Sequence, residues 1–229
     1  MKWKVGLFLL MALYSCQISA RDTIALNVGG GDTIVVPVIA DLLPLGNNAA
    51  AYRQYLEYEE IPGRRLLETF MSKGDLDAAA AGIKRFRGRT LTVDMLVTPS
   101  GTSVATLQQF QAAMAGFKAI NQDMLNAQFD AQKVQLASKL KQSKASAYAP
   151  KFLGLIVSQP RAVAIAEQMT IDDGTSAHYV AIAQGFIFVR ERIIAFTIYK
   201  EIQDQSDTEW VKRTGTDWAA QVLKLNPDH

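Results

Sequence analysis

The stretch that decides the fold is residues 161–200, RAVAIAEQMTIDDGTSAHYVAIAQGFIFVRERIIAFTIYK. It contains three runs rich in β-branched and aromatic residues, and two short polar segments separate them. Residues 172–175 predict the first turn, and Arg190-Glu191 predict the second. The stretch therefore predicts an antiparallel three-strand meander, with strands at 161–171, 178–189 and 193–200.

Side-chain alternation along these strands places apolar residues on both faces of the meander. One face holds Val163, Ile165, Met169, Val180, Ile182, Phe186 and Phe188. The opposite face holds Tyr179, Ile187, Val189, Ile194, Phe196 and Ile198. An antiparallel sheet with one wet side would show polar residues on that side, so we expect helices to cover both faces.

The two turns also predict which residues face each other. The predicted cross-strand pairs are Met169–His178, Glu167–Val180, Gln184–Thr197 and Ile182–Tyr199. In this register Glu167 and His178 are diagonal neighbours on one face, within reach of each other. A His–carboxylate pair can act as an acid/base unit or supply two metal ligands, so these two residues are the catalytic or metal-site candidates. The alternatives are a partly wet structural pair, or a different register that separates them.

A capped helix follows the meander. Residues 206–209, SDTE, have Ser followed three residues later by Glu, which is typical of a capping box. Trp210, Trp218, Val222 and Leu225 fall on one face of this helix, and Asn226-Pro227 predict its end. Both tryptophans are interpreted as core anchors.

This order of meander, acidic turn and tryptophan-bearing helix resembles the PsbP-type α/β/α sandwich. Residues 193–226, IIAFTIYKEIQDQSDTEWVKRTGTDWAAQVLKLN, are similar to the C-terminus of exported bacterial proteins of uncharacterised function. The resemblance implies a fold and an exported compartment. It rests on structural features, so it assigns no catalytic residue. Residues 121–146 look like a helical insertion relative to the sandwich.

The N-terminal half adds a hairpin and a middle strand to the predicted sheet. Residues 23–28 and 33–39 flank Gly29-Gly30-Gly31-Asp32, which predicts a β-hairpin. A phosphate-cradling loop would need a helix after the glycines, and a strand-like TIVVPVI follows instead. In the middle strand, 89–98, Leu91, Val93, Met95 and Val97 alternate with Thr90, Thr92 and Asp94.

Helices and a connector fill the remaining intervals. Apolar spacing predicts helices at about 48–59 and at 63–72, with a further turn or two at 75–81. A helix from about Thr102 buries Leu107, Phe110, Met114 and Phe117. We expect a break near Asn121 or a protruding second helix, because one helix over this length would exceed the size of the domain. Residues 150–160 are expected to be a connector.

Residues 1–20, MKWKVGLFLLMALYSCQISA, predict a signal peptide, because Lys2 and Lys4 precede an apolar run too short to span a bilayer. Cleavage before Arg21 leaves residues 21–229 as a single α+β domain. Leu13 to Cys16 also resemble a lipobox, so a lipid anchor on Cys16 is the alternative, and an uncleaved anchor is another. The intact mass of the mature chain separates these possibilities.

Composition excludes several classes of protein. The chain is 49% hydrophobic and 20% charged, with a formal net charge of +2 and one Cys. It is too hydrophobic for intrinsic disorder, and too poor in Cys for a disulfide scaffold or a multi-cysteine zinc site. Loss of residues 1–20 would remove two lysines and the cysteine, leaving 22 basic and 22 acidic residues. A neutral chain without thiols is not expected to bind nucleic acid or to do thiol chemistry.

These features predict an exported cell-envelope protein, periplasmic or secreted, that acts as a non-enzymatic binding module without a cofactor. The expected partner is an envelope protein or an anionic envelope component. Lys84, Arg85 and Arg87 form a basic run that would attract anions, while Phe129 and Leu136 would bind a partner through the helical extension. The alternative function is an envelope enzyme or metal-binding protein centred on Glu167 and His178.

Overall fold

The computed structural model describes residues 23–46, 63–81, 88–97, 104–130, 146–147, 150–172 and 177–227. Several predictions lie outside these residues: the signal peptide at 1–20, the helix at 48–59, the basic run of Lys84, Arg85 and Arg87, and Leu136 with residues 131–145 of the helical extension. Within the described part of the chain, every helix falls short of the length or the apolar content that a bilayer span requires.

The elements follow in chain order. The strands are β1 (Thr23–Gly29), β2 (Asp32–Pro37), β3 (Leu42–Pro44), β4 (Arg64–Ser72), β5 (Arg89–Leu96), β6 (Ser146–Ala147), β7 (Lys151–Gln159), β8 (Ala162–Asp172), β9 (Ala177–Val189) and β10 (Arg192–Glu201). The helices are α1 (Lys73–Ala80), α2 (Leu107–Lys118), α3 (residues 122–130) and α4 (Gln205–Leu225). This content confirms the α+β class.

The main sheet is antiparallel, with the order β3-β4-β5-β10-β9-β8-β6, and β7 also pairs with β8. The predicted meander is confirmed as β8-β9-β10, and the predicted middle strand is β5, beside β10. The hairpin β1-β2 is confirmed, but it forms a sheet of its own rather than part of the main sheet.

Two predicted elements are wrong. Residues 63–72 form strand β4 instead of a helix, and most of the predicted connector at 150–160 is strand β7. In β4, Phe70 and Met71 pack into separate cores on opposite faces of the sheet. Apolar residues therefore follow one another without the alternation of a half-exposed strand, and their spacing resembles that of a helix. A bulge between Leu66 and Glu68 also breaks the alternation. In β7, bulges and Gly154, with φ of 121°, hide the strand pattern.

Both faces of the sheet are covered, as predicted. On one face, α2, α3 and the link between them place Phe110, Met114, Ile120 and Leu125 against Val163, Ile165 and Phe188. On the other, α4 and the hairpin pack against Ile187, Ile194, Phe196 and Ile198. Trp218 is confirmed as a core anchor, since its ring centre lies 5.0 Å from that of Phe196 and its Nε1 donates to the Pro37 carbonyl at 3.0 Å.

The predicted break near Asn121 is also confirmed. Helix α2 ends at Lys118, and α3 starts at residue 122. The Asn121 side chain accepts a hydrogen bond from the backbone N–H of Met124 at 3.0 Å, which caps α3. Phe129 lies on α3 and is half-buried.

The cap of α4 differs from the prediction. Asp204 is the N-cap, and its Oδ1 accepts from the N–H of Ser206 at 2.7 Å. Asp207 completes the box by accepting from the N–H groups of Gln203 and Asp204. The helix therefore starts earlier than a cap at Ser206 would place it, because Asp204 and Asp207 have the same three-residue spacing as Ser206 and Glu209.

This cap yields a direct test. Asp204→Ala is expected to lower the free energy of unfolding by about 1 kcal/mol, because an N-terminal N–H of α4 loses its acceptor. Ser206→Ala is the matched control, and it should change the value by less than about 0.5 kcal/mol. Urea denaturation measures both. Equal losses in the two variants would contradict this cap assignment.

Candidate functional site

A band of polar side chains crosses the sheet on the face that carries Val163 and Ile165. The register aligns four of its members in one row across β9, β10, β5 and β4, and one member lies in each neighbouring row. The row consists of Gln184, Thr197, Thr92 and Thr69, and the flanking members are Glu167 and Asp94. Since adjacent strands lie about 4.8 Å apart, the row spans about 14 Å.

All members of the polar band except the half-buried Gln184 are buried, which is expensive without hydrogen-bond partners. Thr69 is 0% exposed, Glu167 is 5% exposed and Asp94 is 7% exposed. The Thr69 hydroxyl is buried and has no hydrogen-bond partner within the described part of the chain. A stretch of sheet with this chemistry contributes less to stability than an apolar one, so its polarity points to a role other than packing.

Glu167 is the ionisable residue at one end of the polar band. Its Oε1 accepts a hydrogen bond from Gln184 Nε2 at 2.9 Å, and the two side chains project from neighbouring strands β8 and β9. Burial removes the carboxylate from water and raises the pKa of Glu167 from 4.5 to about 7. The carboxyl can therefore hold or release a proton near neutral pH.

Asp94 occupies the other end of the polar band beside a cation. Its Oδ2 lies 4.0 Å from Nη1 of Arg64, whose guanidinium also lies 5.7 Å from the ring centre of Phe186. Burial raises the pKa of Asp94, and the Arg64 charge opposes that rise. The band thus contains one carboxyl with a counter-charge and one, Glu167, whose hydrogen-bond partner is a neutral amide.

The structure does not bring Glu167 and His178 together. Strand β8 runs to Asp172 and β9 begins at Ala177, so Ile171 faces His178 and Ile182 faces Glu167. The predicted β8-β9 register is wrong by two residues, which leaves the pair on the same face but four residues apart along the strands, about 13 Å.

His178 has a different acidic neighbour: its Nδ1 lies 3.0 Å from Glu201 Oε1 on β10. The sequence pattern indicated neither the Glu167–Gln184 contact nor the His178–Glu201 contact, although the predicted pairing of Gln184 with Thr197 is confirmed. Among the described residues, no three His, Cys, Asp or Glu side chains form a group that could hold a metal ion.

A second feature is a groove of about 800 Å³ between α4 and the segment that follows the hairpin. One wall carries Ile24, Val38, Ile39 and Leu43. The other wall carries Trp210, Arg213, Asp217 and Gln221, which recur every three or four residues along one face of α4. This face of the helix measures about 16 Å from Trp210 to Gln221 at 1.5 Å per residue.

Two cationic side chains lie against the ring of Trp210, at one end of the helical wall of the groove. The Arg89 guanidinium lies 4.7 Å from its ring centre and the Lys200 ammonium 5.5 Å. Arg89 in turn lies 3.8 Å from Asp41. Lys200 forms an ion pair with Asp207 and lowers the pKa of that carboxyl. Trp210 is only partly buried, so it both packs on the core and lines the groove.

Comparison with known proteins identifies no family. No family model and no curated protein matches the chain. Among solved structures, a mutant of the protein Mog1 superposes with a TM-score of 0.36 and 12% sequence identity, over 89% of this chain and 92% of that one. The Ran-binding protein Mog1p of Saccharomyces cerevisiae gives a TM-score of 0.32 with the same identity and coverage. Similarity at this level says nothing about what this chain binds, and the resemblance to PsbP-type proteins stays a prediction.

Proposed function

We propose that the protein is an exported cell-envelope protein that works as a non-enzymatic binding module, and that its groove takes an extended polypeptide segment with apolar side chains. The groove is the observation that carries this proposal. The positively charged, apolar leader at 1–20 and the neutral balance of the remaining chain support the exported compartment.

The lining of the groove favours a polypeptide over other ligands. Aliphatic side chains and an indole offer apolar contact, while charges of both signs stand beside them, with Arg213 and Asp217 on α4 and Asp41 opposite. A lipid tail would leave these charges desolvated and unpaired, and a polyanion would meet both aspartates. A polypeptide supplies apolar side chains together with polar main-chain groups. The 16 Å wall matches about five residues of extended chain.

Binding also fits the chemistry of the groove better than catalysis does. The described lining contains no His and no Cys, and the titrating carboxyl Glu167 belongs to a different part of the sheet. The described residues of the groove thus offer a surface for binding but no acid/base pair for catalysis.

Peptide selection tests the proposal. The mature chain is used to select binders from a random heptapeptide phage library, and Leu43→Lys is expected to weaken the selected peptides about tenfold or more, because it places a charge in the apolar wall. Leu155→Lys is the matched control, since Leu43 and Leu155 are 46% and 41% exposed and only Leu43 lines the groove. Failure to select any peptide, or equal binding by both variants, would overturn the groove as the binding site.

A second candidate function rests on Glu167. Its raised pKa and its hydrogen bond from Gln184 favour an envelope enzyme in which Glu167 alone is the acid/base group and Gln184 orients it. The metal-binding version needs His178 next to Glu167, and the observed register does not provide that. A hydrolase screen of the mature chain and its Glu167→Gln variant separates this function from peptide binding.

A further inference from the structure

Three arginines reach the tip of the hairpin β1-β2: Arg65 from β4, Arg190 from the turn between β9 and β10, and Arg192 from the start of β10. Arg65 Nη2 donates to the Asn27 carbonyl at 3.3 Å, and Arg190 Nη1 donates to the Thr33 carbonyl at 2.7 Å. Arg192 Nη2 lies 3.4 Å from Asp32 Oδ2. Asn27 pairs with Thr33, and Gly29 pairs with Asp32, so the three contacts are neighbours across the hairpin. We call Arg65, Arg190 and Arg192 the arginine cluster.

The Arg192 guanidinium has more N–H donors than there are acceptors around it. The Arg192 side chain is only 11% exposed, and its buried Nε finds no hydrogen-bond partner among the residues that the structure describes. Its other contacts, to Asp32 and to the Glu191 carbonyl, are both long at 3.4 Å. A guanidinium carries five N–H donors, and a nearly buried cation without enough acceptors is costly. Arg192, the most buried arginine of the cluster, therefore lacks an acceptor for one of its N–H donors in the described part of the chain.

The turn that presents Arg190 is strained. Arg190 and Glu191 have φ of 47° and 58°, in the left-handed region that glycine and asparagine usually occupy in such turns. Each non-glycine residue there costs about 1 kcal/mol or more. Strain of this kind persists where a side chain has a role, and glycine at this position would remove the Arg190 guanidinium.

The approach to the cluster is open. Gly30 and Gly31 form the hairpin turn, and a methyl group on either would meet no atom of the described residues within 4 Å. Asp32 supplies the carboxylate contact of the cluster, and its side chain is 58% exposed. One weakly held negative charge therefore faces the positive charges of three guanidinium groups. Planar guanidinium forks match the oxygens of a phosphate group better than those of water.

We propose that the arginine cluster binds a phosphate-type oxyanion at the hairpin tip, supplied either by a free phosphorylated solute or by a phospholipid headgroup. The glycine turn is not a phosphate loop of the helix-preceding kind, because side chains and not helix N–H groups supply the donors here. The site is separate from the groove and extends the proposed function to an anionic envelope component.

Inorganic phosphate is the first probe. The melting temperature of the mature chain is expected to rise with phosphate and to saturate, relative to chloride at equal ionic strength. Asp32→Asn, at an exposed position, should tighten phosphate binding about threefold or more by removing a competing charge. Arg190→Gln should weaken it about tenfold. Lys73→Gln, beyond the opposite end of β4 from Arg65, should leave it unchanged.

Vesicles distinguish the source of the oxyanion. Cosedimentation with phosphatidylcholine vesicles containing phosphatidylglycerol, reversed by phosphate, supports a headgroup. A phosphate-dependent melting shift without vesicle binding supports a free solute. The proposal is overturned if phosphate stabilises no more than chloride does, or if Asp32→Asn and Arg190→Gln both retain the wild-type response.

Discussion

Replacing Glu167 by Gln is expected to raise the free energy of unfolding at pH 8 by about 3 kcal/mol and to leave it nearly unchanged at pH 4. Burial raises the pKa of Glu167 from 4.5 to about 7. Below pH 4.5 the carboxyl carries its proton in both the folded and the unfolded chain. As the pH rises toward 7, the unfolded chain releases this proton while the folded chain keeps it, so stability falls. Above pH 7 the loss is complete, and Glu167→Gln removes it.

Urea denaturation of the wild type and Glu167→Gln from pH 4 to pH 9 measures this effect, and the difference between the two curves isolates Glu167 from the other titrating groups. The amide is nearly isosteric with the carboxyl, and its oxygen still accepts from Gln184. Glu209→Gln is the control, because the Glu209 side chain is 65% exposed and pairs with Lys212 on the surface of α4. A difference curve without a pH dependence would show that Glu167 ionises as an ordinary carboxyl.

The outcome also decides between the two candidate functions. Loss of hydrolytic turnover in Glu167→Gln together with a gain in stability would mark Glu167 as a group retained for chemistry at the expense of stability. Unchanged peptide selection in the same variant would support the groove, which Glu167 does not line.

The sequence predicted the register of one strand pair and missed that of the other for a physical reason. The two-residue turn Arg190-Glu191 leaves a single way to pair β9 with β10, so Gln184 does face Thr197 and Ile182 does face Tyr199. The longer connection after Asp172 allows shifts of the pairing. A shift of two residues keeps each side chain on its face, which is why Glu167 and His178 share a face without touching.

The polar band was hidden from the sequence because its members look like solvent-facing residues. In β5, Thr90, Thr92 and Asp94 alternate with apolar side chains, which is the pattern of a strand with one wet face. The structure buries both sets, and it places β5 in the sheet between β4 and β10. That placement joins Thr92 and Thr69 to Thr197, more than a hundred residues later, and no local pattern reports so distant a pairing.

Gly185→Ala is expected to lower the free energy of unfolding by about 3 kcal/mol, at the upper end of what overpacking costs. Gly185 lies in β9, between Ala164 of β8 and Phe196 of β10. A methyl group there would stand 2.4 Å from the Val163 carbonyl oxygen and 2.5 Å from the Ala164 Cβ. Both atoms are fixed by the β8-β9 ladder, so no side-chain rotation relieves the clash and the strands themselves must separate.

Gly116→Ala is the matched control, because a methyl group on Gly116 would meet no atom within 4 Å in the part of the chain that the structure describes. It is expected to stabilise α2 by up to about 1 kcal/mol, since alanine loses less backbone entropy than glycine in a helix. The same chemical change should therefore act in opposite directions at the two glycines, which urea denaturation at one pH resolves. Wild-type stability in Gly185→Ala would mean that β8 and β9 are not paired as closely as the β8-β9 register requires, and the contact between Gln184 and Glu167 would be lost with that register.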